Sequence, residues 1–350
     1  MSLLRASLTR FAQRSPLFSA SLLALDLAIY ALMVVGVIMS DEVWLKILLG
    51  VAAGAMIALA AIVGHDAGHQ SLSTSRLLNR VLGTVAFLPA LHPFSLWKHH
   101  HNRVHHVFTA QLGVDNAFPP MTVAQYRSAS RWERLRYRFI RSIWGQPFFY
   151  LLDVWLPHMF LPFLDNARKI SRETWLDIAL VHAWFVAFLA ATTALTLRVH
   201  EVDVMTAAAS AFVFGWAVPF LVWNAFISFL SVVQHTAPNL RWSEPTGRPS
   251  TVEQSLEGTV HVQFPEWLDR LMHRIMKHPA HHLNVGIPLQ CLKEAEAHLE
   301  RSAPETRTAR WSIRYHLELT RRCQLYDPRA NRWVTFEEAE ADVPELAKAA

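Results

Sequence analysis

Three short stretches of this 350-residue chain concentrate imidazole. "HDAGH" holds His65 and His69. "WKHHHNRVHHVFT" holds His99, His100, His101, His105 and His106, and "HPAHH" holds His278, His281 and His282. Ten of the 19 histidines fall in these stretches, a clustering that scatter does not explain. Side chains three or four apart share one face of a helix. His65 therefore pairs with His69, His101 with His105, and His278 with His281 and His282. Imidazole without thiolate suits zinc, copper, iron or nickel. A structural zinc takes four ligands, so eight or more clustered histidines exceed the needs of one ion, and two ions are the economical answer. Coordination positions left open by histidine permit dioxygen chemistry if the metal is iron, whereas spacing alone leaves zinc and manganese open.

The elements that must position these residues are greasy. The chain is 52% hydrophobic and only 17% charged. A spanning helix needs about 20 mostly apolar residues, and four stretches supply them: Leu17–Met39, Val43–Val63, Trp175–Leu197 and Met205–Val233. The short links 40–42 and 198–204 predict two helical hairpins. The N-terminus, the region 64–174 and the region 234–350 then share one face of the membrane. Region 65–174 carries thirteen Lys and Arg against six Asp and Glu, so the positive-inside rule makes that face cytoplasmic. The net charge of +5 accordingly reads as membrane orientation, not as nucleic-acid binding. Leu77–Trp97 and Phe148–Leu164 are also apolar but are broken by Pro89, Pro93, Pro157 and Pro162. They are expected in the interface or dipping into it. The fold class expected is an all-α integral membrane protein, residues 1–350 forming one domain with four spans and a cytoplasmic helical cap. "LKEAEAHLERS" has helical spacing within that cap.

The pattern H-x3-H, H-x3-H-H and H-x2-H-H resembles the integral-membrane fatty acid desaturase superfamily, which includes related hydroxylases. "QHT" at 234–236 and "HLNVGIPL" after the third box resemble its acyl-lipid desaturase branch. The resemblance implies a membrane-bound, non-haem di-iron oxidoreductase of lipid metabolism that uses O2 to desaturate a fatty acyl chain. It implies nine ligands to two iron ions: His65, His69, His101, His105, His106, His235, His278, His281 and His282. The superfamily allows two or three residues before the paired histidines; His101 fits the longer spacing, the shorter would land on Asn102, and His100 is the substitute for His101. No catalytic residue is implied beyond the metal centre. Asp66, Asp115 and Asn284 are candidates for fixing imidazole tautomers, and Trp97 and Trp223 for lining an acyl tunnel.

Only two cysteines, Cys291 and Cys323, are present, with no C-x-x-C pair and no dinucleotide-binding glycine fingerprint. Electrons are therefore expected from an external ferredoxin-, rubredoxin- or cytochrome-type protein, which the basic run "RWERLRYRFIR" could dock. The location expected is a bacterial inner membrane, with the boxes and both termini cytoplasmic. A hydroxylase or oxygenase acting on acyl, alkyl, sphingoid or carotenoid substrates would share the same site. A metal transporter is a distant rival, because transporters place ionisable ligands within the spans and these boxes lie outside them.

Overall fold

The computed structural model describes residues 2–162 and 170–341. It is mostly helical and divides into two compact units. One comprises Gln13–His100 and Tyr150–Ile227, the other Met1–Ala12, His101–Phe149 and Ser228–Ala350.

The first of these units carries the greasy helices. Four helices are long and apolar enough to cross a membrane: Pro16–Met39, Val43–Gly68, Arg172–Val199 and Val204–His235, the last continuing into the other unit. Each contains one of the four expected spans, and the differences lie at the ends. The second runs five residues past Val63, so box one forms its last turns instead of following it. His69 N–H donates to the His65 carbonyl at 3.1 Å, which holds the two imidazoles on one helix face. The fourth is α-helical over Val204–Ser210, π-helical over Ala211–Ala217 and α-helical again over Val218–His235. Pro219 supplies the reason: it has no N–H and its ring crowds the preceding turn, and a wider turn relieves both.

Close packing within this unit depends on small residues. A Cβ at Gly54 would lie 2.5 Å from the Pro219 carbonyl and 2.6 Å from the Val222 Cβ, so glycine lets the second and fourth spans approach closely. Gly68, in box one, has the Trp97 ring where a Cβ would stand. The two proline-broken stretches form short helices. Arg76–Phe87 and Phe94–His99 flank a break at Leu88–Pro93, and Tyr150–Phe160 is π-helical around Pro157. The end of the second stretch, 163–164, lies outside the described residues.

Asp177, an acid inside the third span, is buried and fully engaged. It accepts both terminal nitrogens of Arg80 and, at 2.9 Å, the N–H of Ser95. Ser95 lies in the first turn of the Phe94–His99 helix, so this carboxylate anchors the segment leading to box two.

The other unit is built from short elements. Two pairs of three-residue strands join its helices: His261–Gln263 runs parallel to Thr308–Arg310, and Leu325–Asp327 antiparallel to Arg332–Val334. Tyr126, Tyr137, Leu325, Val334 and Ala339 form a small core beside the second pair. The buried Arg141 lies 4.0 Å over the Phe118 ring and donates to the Phe118 carbonyl at 3.2 Å. The helix read from "LKEAEAHLERS" is present as Leu292–Ser302, and the N-terminal helix Ser2–Leu8 packs against it.

Removing the Asp177 carboxylate leaves a partly buried guanidinium and a backbone N–H without their main acceptor. Asp177→Ala should cost about 2–3 kcal/mol, because Arg80 keeps some solvent contact. The check is thermal unfolding in detergent, where Asp177→Asn should recover part of the loss.

Candidate metal centre

His235, the last residue of the fourth span, meets boxes two and three within one unit. Box three is a six-residue helix, His278–Leu283, that presents His278, His281 and His282. Box two is not an α-helix: His100–His105 is π-helical, and the N–H of His106 bonds the carbonyl of His101 at 3.0 Å. The wider turn corrects the expected pairing of His101 with His105. Residues five apart now share a face, so His101 Nε2 lies 3.0 Å from His106 Nε2, and His105 points to a different group. That group is His105, His235, His278 and His282, all buried, with one nitrogen from each lying within 4.8 Å of the others. His281 Nε2 lies 3.2 Å from His106 Nε2, so His101, His106 and His281 form a second set. In the spanning unit, the His65 and His69 rings lie 4.6 Å apart. His100 stacks instead on His158 at 5.1 Å.

Hydrogen bonds assign the protons of the first group. His105 Nδ1 donates to Asp115 at 2.8 Å, and His235 Nδ1 donates to the Gly258 carbonyl at 3.0 Å. The Thr109 hydroxyl donates to the His105 carbonyl at 2.9 Å, so its lone pair accepts His282 Nδ1–H at 3.2 Å. With Nδ1 protonated, the neutral ring keeps a bare lone pair on Nε2. Those Nε2 atoms face one another, at 3.1 Å between His105 and His282 and 2.8 Å between His235 and His278. Burial, and then the neighbouring histidines, push the His282 pKa well below its ordinary value. Four converging Nε2 atoms, three of them on rings whose Nδ1 proton is held by an acceptor, form a donor set that fits a metal cation.

Asp115 is the strongest of the orienting groups. It accepts His105 and the N–H groups of Ala110 and Ala117, at 2.7 and 3.0 Å. Burial raises its pKa, but His105, then His235 and the Ala110 N–H, outweigh burial and hold it below the ordinary carboxylate value. Asp66 lies 3.7 Å from His65 Nδ1. Asn284 instead accepts the Gly286 N–H at 3.1 Å. Trp97 packs edge-on to His65, and Trp223 edge-on to His92.

Glu296 escaped the sequence reading. Fully buried, it accepts the Ala280 N–H at 2.9 Å and so caps the box-three helix from a distant segment. The signal was available: Leu292, Ala295, Glu296 and Leu299 share the buried face of an amphipathic helix, and a carboxylate there requires a partner. Glu296 and Glu300 also lie beside His261. There Lys277 donates to His261 Nε2 at 3.0 Å, His261 Nδ1 donates to Glu300 at 2.5 Å, and Lys277 pairs with Asp269 at 3.2 Å. The ammonium already supplies that cluster with positive charge.

Comparison with known proteins bears on the same residues. The family model for fatty acid desaturases matches residues 42–314. The chain is 33% identical over 279 residues to the sn-1 oleoyl-lipid 12-desaturase of Synechocystis sp., covering 79% of this chain and 74% of that one. It is 30% identical to the same-named enzyme of Picosynechococcus sp., covering 79% and 75%. It is 28% identical to the chloroplastic omega-6 fatty acid desaturase of Arabidopsis thaliana, covering 77% of this chain and 57% of the relative.

Two outcomes follow from this geometry. Asp115→Asn replaces an acceptor-only group with an amide and should weaken metal retention about 10- to 100-fold, read by metal analysis after dialysis against graded chelator. Burial pushes the Glu296 pKa up to about 8, so the native state keeps a proton that the unfolded chain releases near 4.5. Between those values the unfolded chain binds fewer protons, and wild-type stability falls as pH rises. Glu296→Gln removes that loss, so its melting temperature should gain on wild type from pH 5 to pH 8.5. A constant offset would contradict the assignment.

Proposed function

The chain belongs to the fatty acid desaturase family, and on that footing we propose that it introduces the second double bond into an oleoyl chain carried on a membrane lipid. It is an oxidoreductase acting on fatty acyl chains. The substrate and the position of the new bond rest on relatives named for oleoyl-lipid 12-desaturation and for omega-6 desaturation. The observation that carries the reading is the buried group His105, His235, His278 and His282, whose Nε2 atoms converge.

In this proposal those four imidazoles would hold one iron ion, and His101, His106 and His281 would contribute to the second. His65 and His69 complete the nine ligands that the family resemblance implies, and the whole chain acts as one domain. Bound there, iron supplies the dioxygen chemistry needed to remove hydrogen from two adjacent unactivated methylenes. The protein's own residues do the rest. Asp115, Gly258 and Thr109 fix three tautomers, and burial of the imidazoles keeps water from the donor set. Electrons come from a separate ferredoxin-, rubredoxin- or cytochrome-type protein. The boxes and both termini face the cytoplasm, a reading that rests on the Lys and Arg excess in region 65–174.

The test is expression in a host of known lipid composition, with acyl chains analysed by mass spectrometry. An 18-carbon diene with a new double bond at position 12 is expected, and a hydroxylated chain or an unchanged profile would overturn the proposal. The purified protein should hold about two iron atoms per chain, from ligand number against coordination number. His235→Ala should abolish the product and lower bound iron while still inserting into the membrane. His200→Ala should stay active, since that ring bonds the Ile38 carbonyl at 2.6 Å and is absent from both histidine sets.

A further inference from the structure

The helix Arg131–Arg141 is amphipathic in an unusual sense. Its inner face, Tyr137, Ile140 and Arg141, is buried in the unit that carries boxes two and three. Arg138 is also turned inward, bonding Tyr126 and Glu340. The outer face is apolar too. Trp132, Leu135 and Phe139, spaced three and four apart, are exposed, and Trp132 is 79% exposed. The patch continues past the helix: the Phe139 and Phe148 rings stack at 6.2 Å, and Trp144 is also 79% exposed. Arg131 and Arg136 are exposed beside it. The one acid of the helix, Glu133, accepts the Ser130 N–H at 2.8 Å in a capping box at the helix start.

Five large apolar side chains exposed within seventeen residues of a folded surface mark an interaction site. Its chemistry selects the occupant. Tryptophan and phenylalanine flanked by arginine are the side chains that settle at the headgroup level of a bilayer, ring inward and guanidinium toward anionic phosphate. A transient redox partner would be steered by charge and gives no reason for two tryptophans so fully exposed. We propose that the surface of Trp132, Leu135, Phe139, Trp144 and Phe148 lies in the membrane interface, a lipid-docking face separate from the four spanning helices. The proposal rests on the membrane character of the chain and not on the identity of its acyl substrate.

Photo-crosslinking tests it. The photoreactive residue p-benzoylphenylalanine is placed singly at Trp132, Leu135, Phe139 and Trp144, and at the exposed Arg301 of helix Leu292–Ser302 as a control. Each full-length variant is irradiated in membranes of the expression host, and its adducts are identified by mass. Substitution at exposed positions should leave folding intact, which iron content verifies. Phospholipid adducts at the four sites, at least fivefold above Arg301, are expected. Adducts chiefly to another protein, or to a second copy of the chain, would replace the bilayer by that partner and overturn the proposal. Lipid yields no higher than at Arg301 would overturn it as well. Because the readout is adduct mass, the outcome is independent of which acyl chain the enzyme converts.

Discussion

A neutral imidazole carries one proton on two nitrogens, and the site depends on where that proton sits. Nε2 atoms only 2.8 and 3.1 Å apart repel when both lone pairs face inward, unless a cation lies between them. The protein nevertheless holds three of the four rings in that tautomer, by giving each Nδ1 proton an acceptor. The acceptors differ in kind: a carboxylate for His105, a backbone carbonyl for His235 and a threonine hydroxyl for His282. The carboxylate binds its proton partner most strongly, which makes Asp115 the fixed point about which box two is arranged.

Regular helices alone would not have delivered this geometry. An α-helical box two would present His101 and His105 together. The π-helical turn closes five residues on instead of four, which separates them and sends His105 to one group and His106 to the other. Box three has the opposite problem. It is a single short turn beginning at Lys277 with no side-chain cap of its own and with Pro279 inside it, so its intrinsic helical stability is small. Glu296 supplies the missing acceptor across a long sequence separation. Both devices resist reading from local pattern, because one is a backbone hydrogen-bond choice and the other a tertiary contact.

What was legible in the sequence followed periodicity and composition. Four long apolar runs became four helices, because lipid-length stretches without charge have few alternatives. The three boxes were recognisable from residue type and spacing, His235 only from the family resemblance carried by "QHT", and Asp115 from its position near box two. The ends of the spans were less legible: the second helix runs on through His65 and Asp66, polar residues that hydropathy scores against. Asp177 looked like a span-edge charge, yet its meaning is the pair with Arg80, a residue 97 positions away. The three-residue strands carry too little pattern to be read at all, being fixed by partners such as Thr308 for His261.

The arrangement has a thermodynamic consequence for the unit that carries His105, His235, His278 and His282. Burial without compensating contacts is unfavourable for polar rings, and protonating them there is more so: burial, then the neighbouring histidines, hold the His282 pKa well below its ordinary value. Burial of apolar side chains on the same elements, Val233, Ala280 and Leu283, offsets part of the cost. A cation that binds only the folded arrangement adds its binding free energy to the stability of this unit. Protons compete for the same Nε2 lone pairs, so folding, metal binding and pH are linked through one set of atoms. The orienting carboxylate Asp115 and the capping Glu296 belong to that linkage, because each holds a box in place through a buried hydrogen bond.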